Sequence, residues 1–365
     1  MKEQRGTFVR ESKIDVLRII AALLVLFFHW FKTDGPVTEM IHPYDVQWAP
    51  DWLIESSKYG FLGVDLFFIL SGAVIGVTAL GKKPNEFIRA RFLRLFPTYF
   101  VAVVSAIAFL PLAYPIGPRN FYIPSLTGLQ LWTGDASVLG VAWSLKFEVQ
   151  WYLLVALAIW VLSLRKKLLD VTSLYVFLGL VLGFSLYFAT LNVPVVSVAL
   201  VLPFTFYFIF GAATKQYSHS GFHSKWVPIV LISGIFSASE LNKRIVEVIP
   251  AWDSFSQKYL VCLIAVAVVG VVIGWKTPSK SVDGHQGIVA RALQTGALMT
   301  YPLYLLHAET GQPLISVMAN NGLAPKVAML GGFTICILTS YAIVKIVDPM
   351  LRSFIVRRFM PVKKP

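Results

Sequence analysis

The chain has 365 residues, of which 56% are hydrophobic and 14% are charged, and its formal net charge is +13 at pH 7. Soluble domains carry about 25% charged residues, so the composition excludes an ordinary soluble protein and predicts a membrane protein. The Lys and Arg residues lie between apolar segments, as membrane topology requires, so we exclude nucleic acid as a partner. Cys262 and Cys336 lie in apolar segments and predict neither a disulfide framework nor a zinc site.

Ten apolar segments are candidate transmembrane helices, because about 20 helical residues cross a hydrocarbon core ~30 Å thick. The seventh segment is short and the ninth contains polar residues, so nine or eleven spans stay open as alternatives. The predicted spans are residues 14–32, 60–80, 96–113, 143–164, 170–190, 193–213, 226–240, 258–275, 293–316 and 327–347.

The distribution of charge orients these spans. With the N-terminus in the cytoplasm, most of the 32 Lys and Arg residues fall on the cytoplasmic side, which satisfies the positive-inside rule. The first external loop instead contains the acidic residues Asp34, Glu39, Asp45, Asp51 and Glu55. We therefore predict an all-α, polytopic membrane helical bundle, a single domain over residues 1–365 with both termini cytoplasmic. We expect no cleavable signal peptide, because no small-residue cleavage site follows the first apolar segment.

The first span, within DVLRIIAALLVLFFHW, contains Arg18 and His29. Their separation of eleven residues corresponds to about three turns and 20°, so both lie on one face, about 16 Å apart along the axis. Ionisable residues inside a membrane are costly and mark functional sites. Two simpler interpretations stay open: Arg18 as a cation that reaches the interface, and His29 as an interfacial histidine.

The second span contains GVDLFFILSG, in which Asp65 lies near the predicted external end. Gly72 and Gly76 form a GxxxG pattern, which lets two helices approach closely, and Ser71 is also small. Helix packing accounts for the small residues but not for Asp65, whose carboxylate is therefore a candidate functional group.

Three arginines, Arg89, Arg91 and Arg94, precede the third span. A guanidinium group binds phosphate through two parallel hydrogen bonds, so this cluster is suited to hold a phosphorylated donor at the cytoplasmic face. The alternative is a cluster that serves topology alone.

The fourth span begins with WSLKFEVQWY, in which Glu148 lies too deep for an ordinary surface carboxylate. Two roles stay open for the Glu148 carboxylate: a buried ion pair with Lys146 or Arg18, or a hydrogen bond that orients His29. The ninth span contains YPLYLLHAE, which adds the ionisable residues His307 and Glu309 in its middle.

Together these segments resemble the integral-membrane acyltransferase 3 family, which includes the O-antigen, exopolysaccharide and peptidoglycan O-acetyltransferases. The resemblance rests on the spacing of Arg18 and His29, on GVDLFFILSG, on the Arg-x-Arg of Arg89 and Arg91, and on WSLKFE and YPLYLLH. These motifs occur in the family's order and extend over essentially the whole chain.

The resemblance implies a membrane O-acyltransferase. Its donor would be acetyl-CoA or another acyl-CoA from the cytoplasm, and its acceptor a hydroxyl of a cell-envelope glycan or lipid-linked saccharide at the outer side of a bacterial inner membrane. It implies catalysis by His29 and donor binding by Arg18, Arg89 and Arg91, to which we add Arg94.

The mechanism that we favour uses His29 as a general base, with an acyl-histidine intermediate as the alternative. A neighbouring carboxylate would hold the imidazole, with Glu148 as the first choice and Asp65 as the second. The predicted substrate-binding residues are Ser71, Trp143, Ser144, Tyr304 and His307.

Two rival functions stay open. Intramembrane Asp, Glu, His and Arg residues also suit a transporter or flippase of a polar or lipid-linked substrate, although the two halves show no repeat. Transfer of succinyl rather than acetyl would need the same fold with a different donor pocket. Beyond donor and acceptor we expect membrane lipid as a partner and no metal, and homo-oligomerisation stays open.

Overall fold

A computed structural model describes residues 11–31, 50–112, 122–128, 130–133, 137–191, 202–219, 224–249, 255–275 and 287–360. Within these ranges every regular element is helical and no strand occurs, which confirms the all-α class. The acidic loop residues Asp34, Glu39 and Asp45 lie outside the described residues, as does the beginning of the predicted span 193–213.

The helices are numbered here in chain order. They are α1 (Ser12–Phe31), α2 (Asp51–Ser57), α3 (Leu62–Thr78), α4 (Pro84–Phe109), α5 (Tyr122–Thr127), α6 (Gln130–Thr133), α7 (Trp143–Leu164), α8 (Val171–Leu191), α9 (Leu202–His219), α10 (Val227–Val248), α11 (Phe255–Gly274), α12 (Ile288–Leu306), α13 (Gln312–Asn320), α14 (Pro325–Ala342) and α15 (Asp348–Phe359). A π-helical turn, His307–Gly311, joins α12 to α13, and another, Ile343–Val347, joins α14 to α15.

Several helical segments are long and apolar enough to cross a membrane, so the protein is an integral membrane protein. Two shorter apolar helices, Val171–Tyr187 and Lys258–Gly274, accompany them. The four long candidate spans in the described part of the chain are Ser12–Phe31, Pro84–Leu112, Gly140–Leu164 and Pro325–Phe359. Ten spans and cytoplasmic termini stay predictions.

The helix starts follow local rules. Pro228, Pro313 and Pro325 occupy the first or second position of their helices, where the missing N–H of proline costs no hydrogen bond. Asp170 precedes α8 and accepts a hydrogen bond from the N–H of Ser173 at 2.7 Å. This bond to the charged form lowers the pKa of the exposed Asp170 carboxyl below its ordinary value of 3.8.

The chain forms two compact units, each built from separate segments. The first unit comprises Met1–Arg18, Leu62–Arg89 and Phe147–Gln286, and the second comprises Ile19–Phe61, Ala90–Lys146 and Gly287–Pro365. In the first unit, α9 packs against α3, α8, α10 and α11. In the second unit, α12 and α13 both pack against α14.

Helices α3 and α9 approach so closely that glycine is required at their contact. A Cβ atom at Gly72 would collide with the backbone oxygen of Phe208, and one at Gly211 with the backbone oxygen of Ile69. At Gly76 it would lie 2.9 Å from the Cβ of Ala212. The close helix contact expected from the GxxxG pattern is confirmed.

We expect Gly72→Ala to destabilise the protein, because the added methyl group meets backbone atoms that cannot rotate away. Overpacking of this kind costs about 1–3 kcal/mol. The matched control is Gly179→Ala in the middle of α8, where no atom lies within 4 Å of the added Cβ. There alanine should be neutral or stabilise by up to about 1 kcal/mol. Thermal unfolding of both purified variants in one detergent checks this, and equal melting temperatures would contradict it.

Candidate functional site

Two histidines far apart in sequence meet in the second unit. His29 lies in the last turn of α1, and His307 is the first residue of the π-helical turn after α12. The Nε2 atom of His307 lies 3.1 Å from the Nδ1 atom of His29, and the ring centroids are 4.9 Å apart. His307 is only 1% exposed, whereas His29 is half-buried, so His29 is the more accessible member of the pair.

Backbone contacts fix this pair from both sides. The indole N–H of the buried Trp30 donates to the backbone oxygen of His307 at 2.8 Å. In return, the amide of Gln312 donates to the backbone oxygen of His29 at 3.0 Å. A Cβ at Gly311 would lie 3.0 Å from the Trp30 ring, so glycine lets the π-helical turn pack against α1. The turn and the end of α1 therefore form one packed element.

The contacts of His29 determine which ring nitrogen carries its hydrogen. Nδ1 lies 2.9 Å from the backbone oxygen of Val25, one turn earlier in α1. A carbonyl oxygen only accepts hydrogen bonds, so in the neutral ring Nδ1 carries the hydrogen and Nε2 carries the lone pair. His29 thus presents Nε2 as its basic atom.

A hydroxyl pair extends the site from His307 towards the start of α7. The Tyr304 ring lies 5.9 Å from the His307 ring, and its hydroxyl is 2.8 Å from that of Ser144. The Tyr304 hydroxyl also donates to the backbone oxygen of Val141 at 2.7 Å. The structure thus brings together three predicted substrate-binding residues, Ser144, Tyr304 and His307. Trp143, which precedes Ser144 in the chain, is 40% exposed.

Glu309 has no predicted role, and the structure gives its carboxylate a definite position. One carboxylate oxygen accepts hydrogen bonds from the N–H groups of Gly140, at 2.6 Å, and Val141, at 3.3 Å. Both donors belong to the 3-10 turn Gly140–Ala142 that precedes α7, so the carboxylate satisfies N–H groups that the helix start leaves open. The sequence signal was its place two residues after His307.

In the first unit, Glu148 is held by hydroxyl groups. Ser71 donates to its Oε1 atom at 2.9 Å, and Tyr152, one turn later in α7, donates to the same oxygen. Ser71, predicted to bind substrate, therefore lies beside the predicted catalytic carboxylate. Their roles in catalysis stay predictions.

Asp65, also in the first unit, forms a buried ion pair with Arg244 of α10. Asp65 is 3% exposed, and the Arg244 guanidinium lies 5.4 Å from the centre of the Phe204 ring. Arg244 is not among the predicted site residues, because it lies beyond the end of the predicted span 226–240, whereas α10 continues to Val248. The ion pair gives the Asp65 carboxylate a structural role, in addition to its predicted catalytic role.

The four arginines predicted to bind the donor have half-buried side chains. Arg18 and Arg89 belong to the first unit, and Arg91 and Arg94 belong to the second. Over the ranges that the structure covers, no group of three His, Cys, Asp or Glu side chains could hold a metal ion.

Comparison with known proteins identifies the family. Residues 11–345 match the family model Acyl_transf_3, described as an acyltransferase domain. The chain belongs to the acyltransferase 3 family. The match contains His29, the Arg-x-Arg pair, Glu148 and His307 within one continuous region, so the family assignment made from the motifs is confirmed.

One curated relative of this acyltransferase 3 chain is "Protein 2 in picA locus" from Rhizobium radiobacter, which is 42% identical over 64 residues. The matched segment covers 16% of the present chain and 33% of the relative, so the chain spans about a third of that relative's length. No solved structure matches the chain.

Proposed function

We propose that this protein transfers an acyl group from cytoplasmic acyl-CoA to a hydroxyl group of a cell-envelope glycan or lipid-linked saccharide at the outer side of the membrane. The acyl group that we favour is acetyl. Membership of the acyltransferase 3 family supports acyl transfer in general. The observation that carries the mechanism is the hydrogen bond between Nδ1 of His29 and the backbone oxygen of Val25. It leaves the lone pair of a half-buried imidazole on Nε2, as a general base requires.

The reaction proceeds by one proton cycle. Nε2 of His29 takes the proton of the acceptor hydroxyl while the hydroxyl oxygen attacks the thioester carbonyl carbon. The carbon–sulfur bond breaks, the new ester forms, and the CoA thiolate takes the proton back from Nε2. Histidine suits both steps because the imidazole ring exchanges protons near neutral pH.

The donor's phosphates would be bound by Arg18, Arg89, Arg91 and Arg94, since guanidinium groups pair with phosphate through two hydrogen bonds. This assignment agrees with their predicted place on the cytoplasmic side of ten spans with both termini in the cytoplasm. The corresponding location is a bacterial inner membrane, with the acceptor on its outer face. Ser144 and Tyr304, whose hydroxyls lie 2.8 Å apart, would contact the acceptor.

The test is turnover by the purified protein in nanodiscs. Radiolabelled acetyl-CoA and succinyl-CoA are supplied separately with a panel of glycans and lipid-linked sugars, and both free CoA thiol and label on each acceptor are measured. We expect CoA release that depends on an acceptor and is faster with acetyl-CoA. Movement of a lipid-linked sugar across proteoliposomes without CoA consumption would instead support a flippase and contradict the proposal.

A further inference from the structure

The hydrogen positions of the two histidines can be assigned as a chain. Nδ1 of His307 lies 2.8 Å from the backbone oxygen of Tyr304 and 3.3 Å from that of Leu303. Both oxygens only accept, so Nδ1 of His307 carries a hydrogen. In a neutral ring the lone pair of His307 is then on Nε2, the atom that faces His29.

The same reasoning applies one step further along the chain. Nδ1 of His29 carries its hydrogen and lies between two acceptors, the Val25 oxygen at 2.9 Å and Nε2 of His307 at 3.1 Å. The hydrogen is therefore shared between them. This is the one arrangement of two neutral rings in which each of these close contacts pairs a donor with an acceptor.

From this geometry we propose that His307 is the positioning residue of His29: it is the second acceptor of the Nδ1 hydrogen beside the Val25 oxygen, and with that oxygen it keeps the lone pair on Nε2. The inference rests on the proposed function in taking Nε2 as the base that receives the acceptor's proton. The predicted partner of the His29 imidazole is a carboxylate, Glu148 or Asp65, and the predicted role of His307 is substrate binding. A neutral imidazole that donates through its far nitrogen to Tyr304 can fill the role instead.

The surroundings of His307 suit positioning rather than substrate contact. The side chain is 1% exposed, less than those of Ser144 and Tyr304, and its Nε2 atom faces His29. Its backbone oxygen is held by Trp30, and the π-helical turn that it begins is an irregularity of the kind that accompanies functional sites in helices. These contacts hold the His307 imidazole in one orientation, with its Nε2 atom towards His29.

Two substitutions at one position separate this role from simple packing. In His307→Gln, the side-chain amide oxygen can still accept from His29, whereas in His307→Leu the replacement fills volume but accepts nothing. We expect the kcat of His307→Gln to fall by less than about tenfold and that of His307→Leu by about 100-fold, within the range of general-base catalysis. The KM for acyl-CoA should stay unchanged in both, because neither replacement touches the predicted donor-binding arginines.

The second readout does not depend on turnover. Nitrogen-15 NMR of histidine-labelled protein in nanodiscs, with the His29 signal assigned by its loss in His29→Gln, reports which ring nitrogen is protonated. We expect hydrogen on Nδ1 in the native protein and in His307→Gln. In His307→Leu, where the Val25 oxygen acts without the second acceptor, we expect a measurable share of the tautomer with hydrogen on Nε2. Hydrogen on Nε2 of His29 in the native protein, or an unchanged tautomer in His307→Leu, would overturn the proposal.

The two readouts also separate this inference from the proposed function. If the tautomers change as expected but His29→Gln still transfers acyl groups at the native rate, the positioning contact is real and the assignment of His29 as base is wrong. If the tautomers and the kcat of His307→Leu both stay native, the positioning role is wrong while acyl transfer stands. Thermal unfolding of both His307 variants identifies any loss of folded protein. If His307→Leu does not fold, the kcat of His307→Gln and the tautomer of His29 in the native protein decide the question.

Discussion

Replacement of His29 by alanine is expected to reduce acyl transfer by about 10²–10⁴-fold, the range that a lost general base produces. Without the imidazole no positioned group takes the proton of the acceptor hydroxyl, although donor and acceptor can still bind. The decrease should therefore appear in kcat, with the KM for acyl-CoA nearly unchanged. Release of CoA thiol and transfer of label to the acceptor, both measured with protein in nanodiscs, check the result.

The control is a histidine of the first unit, whereas both residues of the pair belong to the second. His219 is exposed at the end of α9, so His219→Ala should keep the native rate. The melting temperature of His29→Ala should stay close to that of the native protein, because the Trp30 and Gln312 contacts involve backbone oxygens. Native turnover in His29→Ala would refute a catalytic role for His29. If acyl-His29 instead accumulates in the native protein incubated with donor alone, His29 is a covalent acyl carrier and not a general base.

Removal of one partner of the Asp65–Arg244 pair should have the largest effect on stability. Arg244→Met leaves the 3% exposed carboxylate of Asp65 without its cation in a helical membrane protein. Loss of one partner of a buried ion pair costs about 3–5 kcal/mol, because the remaining charge stays desolvated. The double variant Asp65→Leu with Arg244→Met removes both charges and should recover most of that loss. The free energy of unfolding, from reversible denaturant titration in mixed micelles, gives the coupling.

A neighbouring ion pair on the same helix provides the matched control. Lys243 pairs with Glu240 at 2.8 Å, and its side chain is 63% exposed. Exposed pairs contribute about 0–1 kcal/mol, so Lys243→Met should change the free energy of unfolding little. An Arg244→Met variant as stable as Lys243→Met would show that the Asp65 carboxylate is hydrated or protonated in the folded protein, contrary to our expectation.

The local elements of this protein could be predicted from its sequence because each depends on neighbours in the chain. In a hydrocarbon environment only helices and closed β-barrels satisfy every backbone group. A long continuous apolar run such as DVLRIIAALLVLFFHW predicts a helix, because barrel strands are shorter and alternate apolar with polar residues. The predicted span 14–32 corresponds to α1, Ser12–Phe31, in the structure. The family motifs are likewise local patterns, and they identified the acyltransferase 3 family before any contact was known.

The π-helical turn in the ninth span was not predictable in the same way as the second span. The predicted span 60–80 corresponds to α3, Leu62–Thr78, which is one unbroken helix. In the ninth span the polar residues mark the π-helical turn His307–Gly311. Such a turn contains one residue more than the α-helix, and a side-chain pattern cannot show where that extra residue is accommodated.

By itself, then, the sequence determined the helical segments, the location in a membrane, the family and the candidate site residues. Only the tertiary structure decided which of those residues meet. His307 lies 278 residues after His29, and Arg244 lies 179 residues after Asp65. Helical periodicity states which face of a helix a side chain occupies, but not which helix packs against that face. That choice depends on the close contacts of the whole fold, such as Gly72 against Phe208 and Gly311 against Trp30.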